Sequence, residues 1–167
     1  MLTFLSPNIP ARAARRTESK CSLSIFVKNL SKQPIPVGVG WGASFSFPSG
    51  RRQQVRLRIP ARRTMEGTKA RFNLLRGRAL GNLPLNDSFI DLDRDSEDQA
   101  IAELIDPAAR YAFRIKAISP EIGAFRVRAP QKADFAMIDP QFRGSVQLPP
   151  QETVKYTVEL ELFTPSR

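Results

Sequence analysis

Val154-Lys155-Tyr156-Thr157-Val158-Glu159-Leu160-Glu161-Leu162 alternates apolar and polar side chains without interruption. A two-residue period places Val154, Tyr156, Val158, Leu160 and Leu162 on one face and Lys155, Thr157, Glu159 and Glu161 on the other, the signature of a half-buried strand. Upstream, the same period recurs in shorter runs. Leu23, Ile25 and Val27 alternate with Ser22, Ser24, Phe26 and Lys28. Ile35, Val37, Val39 and Trp41 alternate with Pro36, Gly38, Gly40 and Gly42, and Phe45 and Phe47 continue the pattern until Pro48-Ser49-Gly50. Val55, Leu57 and Ile59 alternate with Gln54, Arg56 and Arg58; Phe72 and Leu74 mark a further short run. Later come Tyr111, Phe113 and Ile115, then Phe125 and Val127 against Arg126 and Arg128, then Phe135 and Met137.

Each run is bounded by Gly, Pro, Asn or Ser, the residues that punctuate strands. The expectation is an all-β, antiparallel β-sandwich, jelly-roll-like, of roughly eight to ten strands. One segment reads as a helix instead. Ser96 and Gln99 have capping-box spacing, Glu97 and Asp98 occupy a first turn, and Ile101, Leu104 and Ile105 fall on one helical stripe before Asp106-Pro107. These predict one short helix near residues 97–105. Residues 1–20 show no hydrophobic period and read as a basic arm, extended or disordered, preceding a single domain over 21–167.

Charge is divided unevenly along the chain. The net charge is +10, yet residues 1–80 hold 16 of the 26 Lys and Arg against only Glu18 and Glu66. The remainder holds ten bases against fourteen acids. Such a basic half calls for anions beside it: a polyphosphate, as nucleic acid or a lipid surface, or ion pairs within or between subunits. Arg51, Arg52, Arg56, Arg58, Arg62 and Arg63 form the densest cluster, and Arg12, Arg15, Arg16 and Lys20 stud the arm. Alternation puts Arg56 and Arg58 on one face, where guanidinium groups suit a phosphate backbone. These ten residues are the candidate contacts to nucleic acid or a partner, in a sequence-tolerant mode.

The residue inventory removes several chemistries. Histidine is absent, which excludes Ser–His–Asp and Cys–His nucleophile systems and His-ligated zinc. The single cysteine, Cys21, excludes an intrachain disulfide. Asp91-Leu92-Asp93-Arg94-Asp95-Ser96 begins like a calcium loop, but Ser96 replaces the turn glycine and Ala102 stands where a bidentate Glu belongs. Gly38-Val39-Gly40-Trp41-Gly42 lacks the Gly-Lys-Ser/Thr of a phosphate loop and reads as a bulge or a close backbone approach. No cofactor or metal is expected, and no apolar run is long enough to span a bilayer.

The layout resembles that of small single-jelly-roll viral coat or minor capsid proteins. A basic arm precedes a proline-rich sandwich, and Phe47-Pro48-Ser49-Gly50 and Leu148-Pro149-Pro150-Gln151 each lead into an alternating strand. The resemblance implies a structural, non-enzymatic virion protein, part of a larger homo- or hetero-oligomer, whose arm meets genome or neighbouring subunits. The alternative is a cellular, non-secreted nucleic-acid-binding β-domain, such as an RNA chaperone or ribosome-associated factor. An enzyme working only with Asp, Glu, Lys, Arg or Tyr is a third class.

Overall fold

The computed structural model describes residues 19–67, 77–82, 84–142 and 144–165. Thirteen strands are present among them: β1 (Ser19–Lys28), β2 (Ile35–Val37), β3 (Ala43–Ser46), β4 (Arg56–Arg58), β5 (Ala61–Thr64), β6 (Arg78–Ala79), β7 (Leu85–Leu92), β8 (Ala100–Asp106), β9 (Tyr111–Ala117), β10 (Ile122–Ala129), β11 (Phe135–Phe142), β12 (Val146–Leu148) and β13 (Thr153–Phe163). A single 3-10 turn, Arg52–Gln54, is the only helical element among the described residues.

All strand pairs are antiparallel. One sheet runs β1-β13-β9-β8-β4-β6, a second runs β3-β11-β10-β7-β5, and β12 and β2 form a small ribbon. The sandwich expected from alternation is therefore the observed architecture. Its core forms where the inner faces of the two large sheets meet. Tyr156 and Val158 of β13, Ile115 of β9, Leu104 of β8 and Leu57 of β4 come from the first sheet. Phe45 of β3, Ile138 of β11, Phe125 and Val127 of β10 and Phe89 of β7 come from the second. Each buried aromatic or branched side chain contributes on the order of 1.5–3 kcal/mol by leaving water. The Tyr156 hydroxyl also donates to the Pro140 carbonyl at 2.7 Å, which ties β13 to β11 through the core.

The expected helix near 97–105 does not form. Asp95 Oδ1 accepts from the backbone N–H groups of Glu97 and Gln99, both at 2.9 Å, and so builds a tight turn. Asp98 then takes φ 58, a left-handed conformation that cannot continue a right-handed helix. The chain proceeds as β8, with Ala100, Ala102 and Leu104 buried at two-residue spacing. The three-and-four spacing of Ile101, Leu104 and Ile105 is incidental, because pairing with β4 and β9 satisfies the backbone on both sides.

The outer face of the six-stranded sheet carries a ladder of charges across its strands. Glu103 of β8 accepts from Arg58 of β4 at 3.3 Å and from Arg114 of β9 at 2.8 Å. Arg114 reaches on to Glu161 of β13 at 3.0 Å, and Glu161 also meets Lys116 at 2.7 Å. Lys20 of β1 closes the row on Glu159 at 2.7 Å. The acids of the second half of the chain thus neutralise bases of the first half within one molecule.

Candidate functional site

Of the ten basic residues singled out from sequence, Arg12, Arg15 and Arg16 lie outside the described residues. The other seven do not gather on one surface. Lys20 and Arg58 belong to the ladder, and Arg56, also on the six-stranded sheet, donates to the Gly77 carbonyl at 3.2 Å. Arg62 and Arg63 belong to β5, the edge of the other sheet, where they pair with Asp93 at 2.7 Å and Asp91 at 2.6 Å. The carboxylates that resembled a calcium loop are therefore the counterions of two arginines. Arg51 is exposed, and Arg52 is buried with Nη2 donating to the Ala129 carbonyl at 3.1 Å.

A different site is built on the outer face of the five-stranded sheet, around a residue that strand periodicity did not single out. In β11, Ala136, Ile138, Pro140 and Phe142 are buried, and the first two of these face β3 core residues across the ladder. The opposite phase carries Met137, Asp139 and Gln141 outward. Asp139 is only 6% exposed although it lies on this outer face. Its Oδ2 accepts from Arg128 Nη2 of β10 at 3.1 Å. Its Oδ1 is buried and has no hydrogen-bond partner among the described residues. Arg126 sits directly across the ladder from Asp139 and is exposed.

The glycine-rich strap packs against that oxygen. Trp41 N–H donates to the Pro140 carbonyl at 3.4 Å, and Phe142 N–H donates to the Val39 carbonyl at 2.9 Å, so residues 39–41 run beside β11. Gly40 bridges to Gln141. A Cβ on Gly40 would stand 3.3 Å from Gln141 Cγ, and one on Gly42 would stand 2.6 Å from Asp139 Oδ1. The close approach read from the glycine spacing is real, and its consequence is that the Asp139 carboxylate occupies the space a side chain at 42 would take.

Chemically, the arrangement offers one acceptor oxygen without a hydrogen-bond partner among the described residues and a neighbouring guanidinium already oriented by the same carboxylate. A buried acceptor oxygen without a hydrogen bond is costly, so it favours a donor that reaches it. The sequence signal for the site was an acid inside the run Phe135–Phe142, next to a proline. Among the described residues no group of three or more Cys, Asp or Glu side chains gathers closely enough to hold a metal ion.

No protein-family model and no curated protein sequence matches the chain. Solved structures do match its fold. A galactose mutarotase-like protein from Clostridium acetobutylicum superposes with a TM-score of 0.71 at 17% identity, over 86% of this chain and 52% of that one. A protein assigned as an aldose 1-epimerase from Escherichia coli gives 0.69 at 16% identity, over 87% of this chain and 57% of that one. Another so assigned, from Klebsiella pneumoniae, gives 0.70 at 13% identity, over 88% and 44%. The fold is therefore a β-sandwich shared with these structures, and the chain spans about half their length.

These likenesses correct the capsid resemblance. The proline-led strands and basic residues that suggested a viral coat belong to a sandwich shared with bacterial mutarotase-like proteins. The expectations of a virion location and of a purely structural, non-enzymatic role fall with it, since structures assigned as epimerases share the fold. The resemblance failed because arm-plus-sandwich layout is common to many β proteins and involved no residue-level motif. No helix among the described residues is long and apolar enough to cross a membrane.

Proposed function

We propose that the protein binds an aldose at the face of β11 and promotes interconversion of its anomers. The observation that carries this reading is the buried Asp139 carboxylate, whose Oδ1 lies against Gly42 and has no hydrogen-bond partner among the described residues. Support comes from the fold, which is that of structures assigned as aldose 1-epimerases. Asp139 would accept the proton of the anomeric hydroxyl as the bond between C1 and the ring oxygen breaks. Water would deliver a proton to the ring oxygen, giving the open aldehyde. Rotation about C1–C2 and the reverse steps then close the other anomer and return the proton. Arg128 holds the carboxylate in place through its 3.1 Å bond to Oδ2.

The polyanion reading is not carried forward, because Lys20, Arg58, Arg62 and Arg63 are held by acids of the same chain. The test of the epimerase reading is direct. Freshly dissolved α-D-galactose and α-D-glucose are followed by proton NMR with and without the protein. Acceleration of anomer exchange above buffer, lost by about 100-fold or more in Asp139→Asn, is expected for a positioned base. Absence of both acceleration and sugar-dependent shifts in Gly42 and Asp139 resonances would defeat it.

A further inference from the structure

β11 carries a proline in mid-strand, and the glycine-rich strap beside it is short of a bond for that reason. The strap continues the register of β3: Ala43 faces Ile138, and Gly40 bridges to Gln141. Gly42 therefore stands opposite Asp139, and Trp41 opposite Pro140. In an antiparallel ladder a residue's N–H and C=O point to the same side, and alternate pairs exchange two bonds. Bonds from Trp41 N–H to the Pro140 carbonyl and from Phe142 N–H to the Val39 carbonyl flank the Gly40–Gln141 pair. Trp41 and Pro140 thus occupy a place for two bonds, but proline has no N–H to give. The bond that remains is long, 3.4 Å against 2.9 Å at Phe142.

Tyr156 of β13 stands at that gap. Its side chain is fully buried, and its hydroxyl donates to the same Pro140 carbonyl at 2.7 Å. Its ring packs against Phe142, with centroids 5.6 Å apart. Burial raises the pKa of the hydroxyl, a bond from the Trp41 backbone opposes the rise, and the charge of Asp139 adds to it. One oxygen therefore meets the strap and β11 and lies within the field of the carboxylate.

We propose that the Tyr156 hydroxyl is a positioning group for the Asp139 site. It joins the strap to β11 where Pro140 leaves the ladder open, and so sets Gly42 opposite the carboxylate. Because β13 belongs to the other large sheet, this clamp makes the geometry at Asp139 depend on how the two sheets pack. Its effect on anomer exchange rests on the reading of Asp139 as the proton acceptor; the clamp itself does not.

Tyr156→Phe removes the oxygen alone. In the full-length, 15N- and 13C-labelled protein, amide hydrogen exchange at Trp41 and Phe142 should quicken about tenfold or more relative to amides of β8 and β9. The Gly42 amide and Asp139 carboxyl signals should move with it. Ile115→Val, a core change on β9, should leave all of these signals in place. Pro140→Ala returns the missing N–H. Combined with Tyr156→Phe, it should restore protection at Trp41, a rescue that loss of core packing does not produce. Alone, it should slow exchange at Trp41, which decides the matter should Tyr156→Phe not fold. With α-D-galactose, Tyr156→Phe should lower kcat about tenfold or more and leave KM unchanged, as expected for a misplaced base. Uniform quickening across the core, unmoved Gly42 and Asp139 signals, or no effect of Pro140→Ala at Trp41 would overturn the clamp. Local loosening and rescue in a protein that does not speed anomer exchange would keep the clamp and defeat the epimerase reading.

Discussion

The Cβ position of Gly42 lies 2.6 Å from Oδ1 of Asp139. Real Cβ atoms do not come that close, so any side chain at 42 must displace the carboxylate. Gly42 is not in a left-handed conformation, which makes the conflict purely steric. Gly42→Ala is expected to destabilise the fold by about 1–3 kcal/mol through overpacking. It should also remove sugar-dependent shifts at Asp139. Urea denaturation and the NMR titration check the two effects separately, and a variant that kept both stability and binding would leave the close contact without a role.

Asp139 and Arg128 form a pair of unequal burial, with side chains 8% and 42% exposed. Removing the cation strands the carboxylate, so Arg128→Met should be the more damaging single change. A loss of about 2 kcal/mol is expected, below the range for fully buried pairs because Arg128 reaches water. Asp139→Asn keeps shape and hydrogen bonding and should retain most stability while losing anomer exchange. The comparison of melting temperature with exchange rate in the two variants reads this out.

Glu103 is shared by Arg58 and Arg114 and is almost buried. Glu103→Gln should cost about 1–3 kcal/mol, because two guanidinium groups lose their common anion. A double-mutant cycle with Arg114→Met should show coupling of about 1 kcal/mol. Additive effects would mean that the ladder is a set of independent, solvated charges.

Glu161 sits between Lys116 and Arg114. Burial raises its pKa, but hydrogen bonds from Lys116 and Arg114 outweigh that and leave it below the usual 4.5. A carboxylate whose folded pKa is depressed adds stability above its unfolded pKa and loses it as pH falls through the folded one. Unfolding free energy should therefore drop as pH falls below about 4.5. Glu161→Gln should flatten that part of the curve while leaving the slope above pH 6 unchanged. Chemical denaturation at a series of pH values measures it.

Asp95 accepts two backbone N–H groups in the turn before β8. Asp95→Ala should cost about 1–2 kcal/mol, the worth of two lost bonds partly replaced by water. Far-ultraviolet circular dichroism of the parent and variant should both lack a helical component. A helical band in the parent would contradict the strand assignment for residues 100–106.

Strands with bulky residues on their buried face were legible from the chain alone. β13, β9, β10 and β4 alternate Val, Ile, Leu, Tyr or Phe with charged residues, as in Leu57 between Arg56 and Arg58. β8 was not, because its buried face is Ala100, Ala102 and Leu104 and alanine carries a weak hydrophobic signal. β7 escaped for a related reason: Asn86, Asp87 and Ser88 interrupt its apolar content, and pairing with β10 and β5 holds it in the sheet. β11 read as the short run Phe135 and Met137, whereas Ala136, Ile138 and Phe142 are its buried residues.

The chain by itself determined an all-β sandwich, because two-residue periodicity is a local property written in consecutive side chains. It also showed that these 167 residues hold no histidine and a single cysteine. Only the tertiary structure decided where the charges go. Arg58 meets Glu103 and Arg63 meets Asp91 across strands separated in sequence, so some bases of the first half are paired with acids of the second inside the molecule. Only the tertiary structure, too, placed Gly42 against Asp139, almost a hundred residues away. Strand register sets such meetings, and register depends on the whole sheet and not on any one segment.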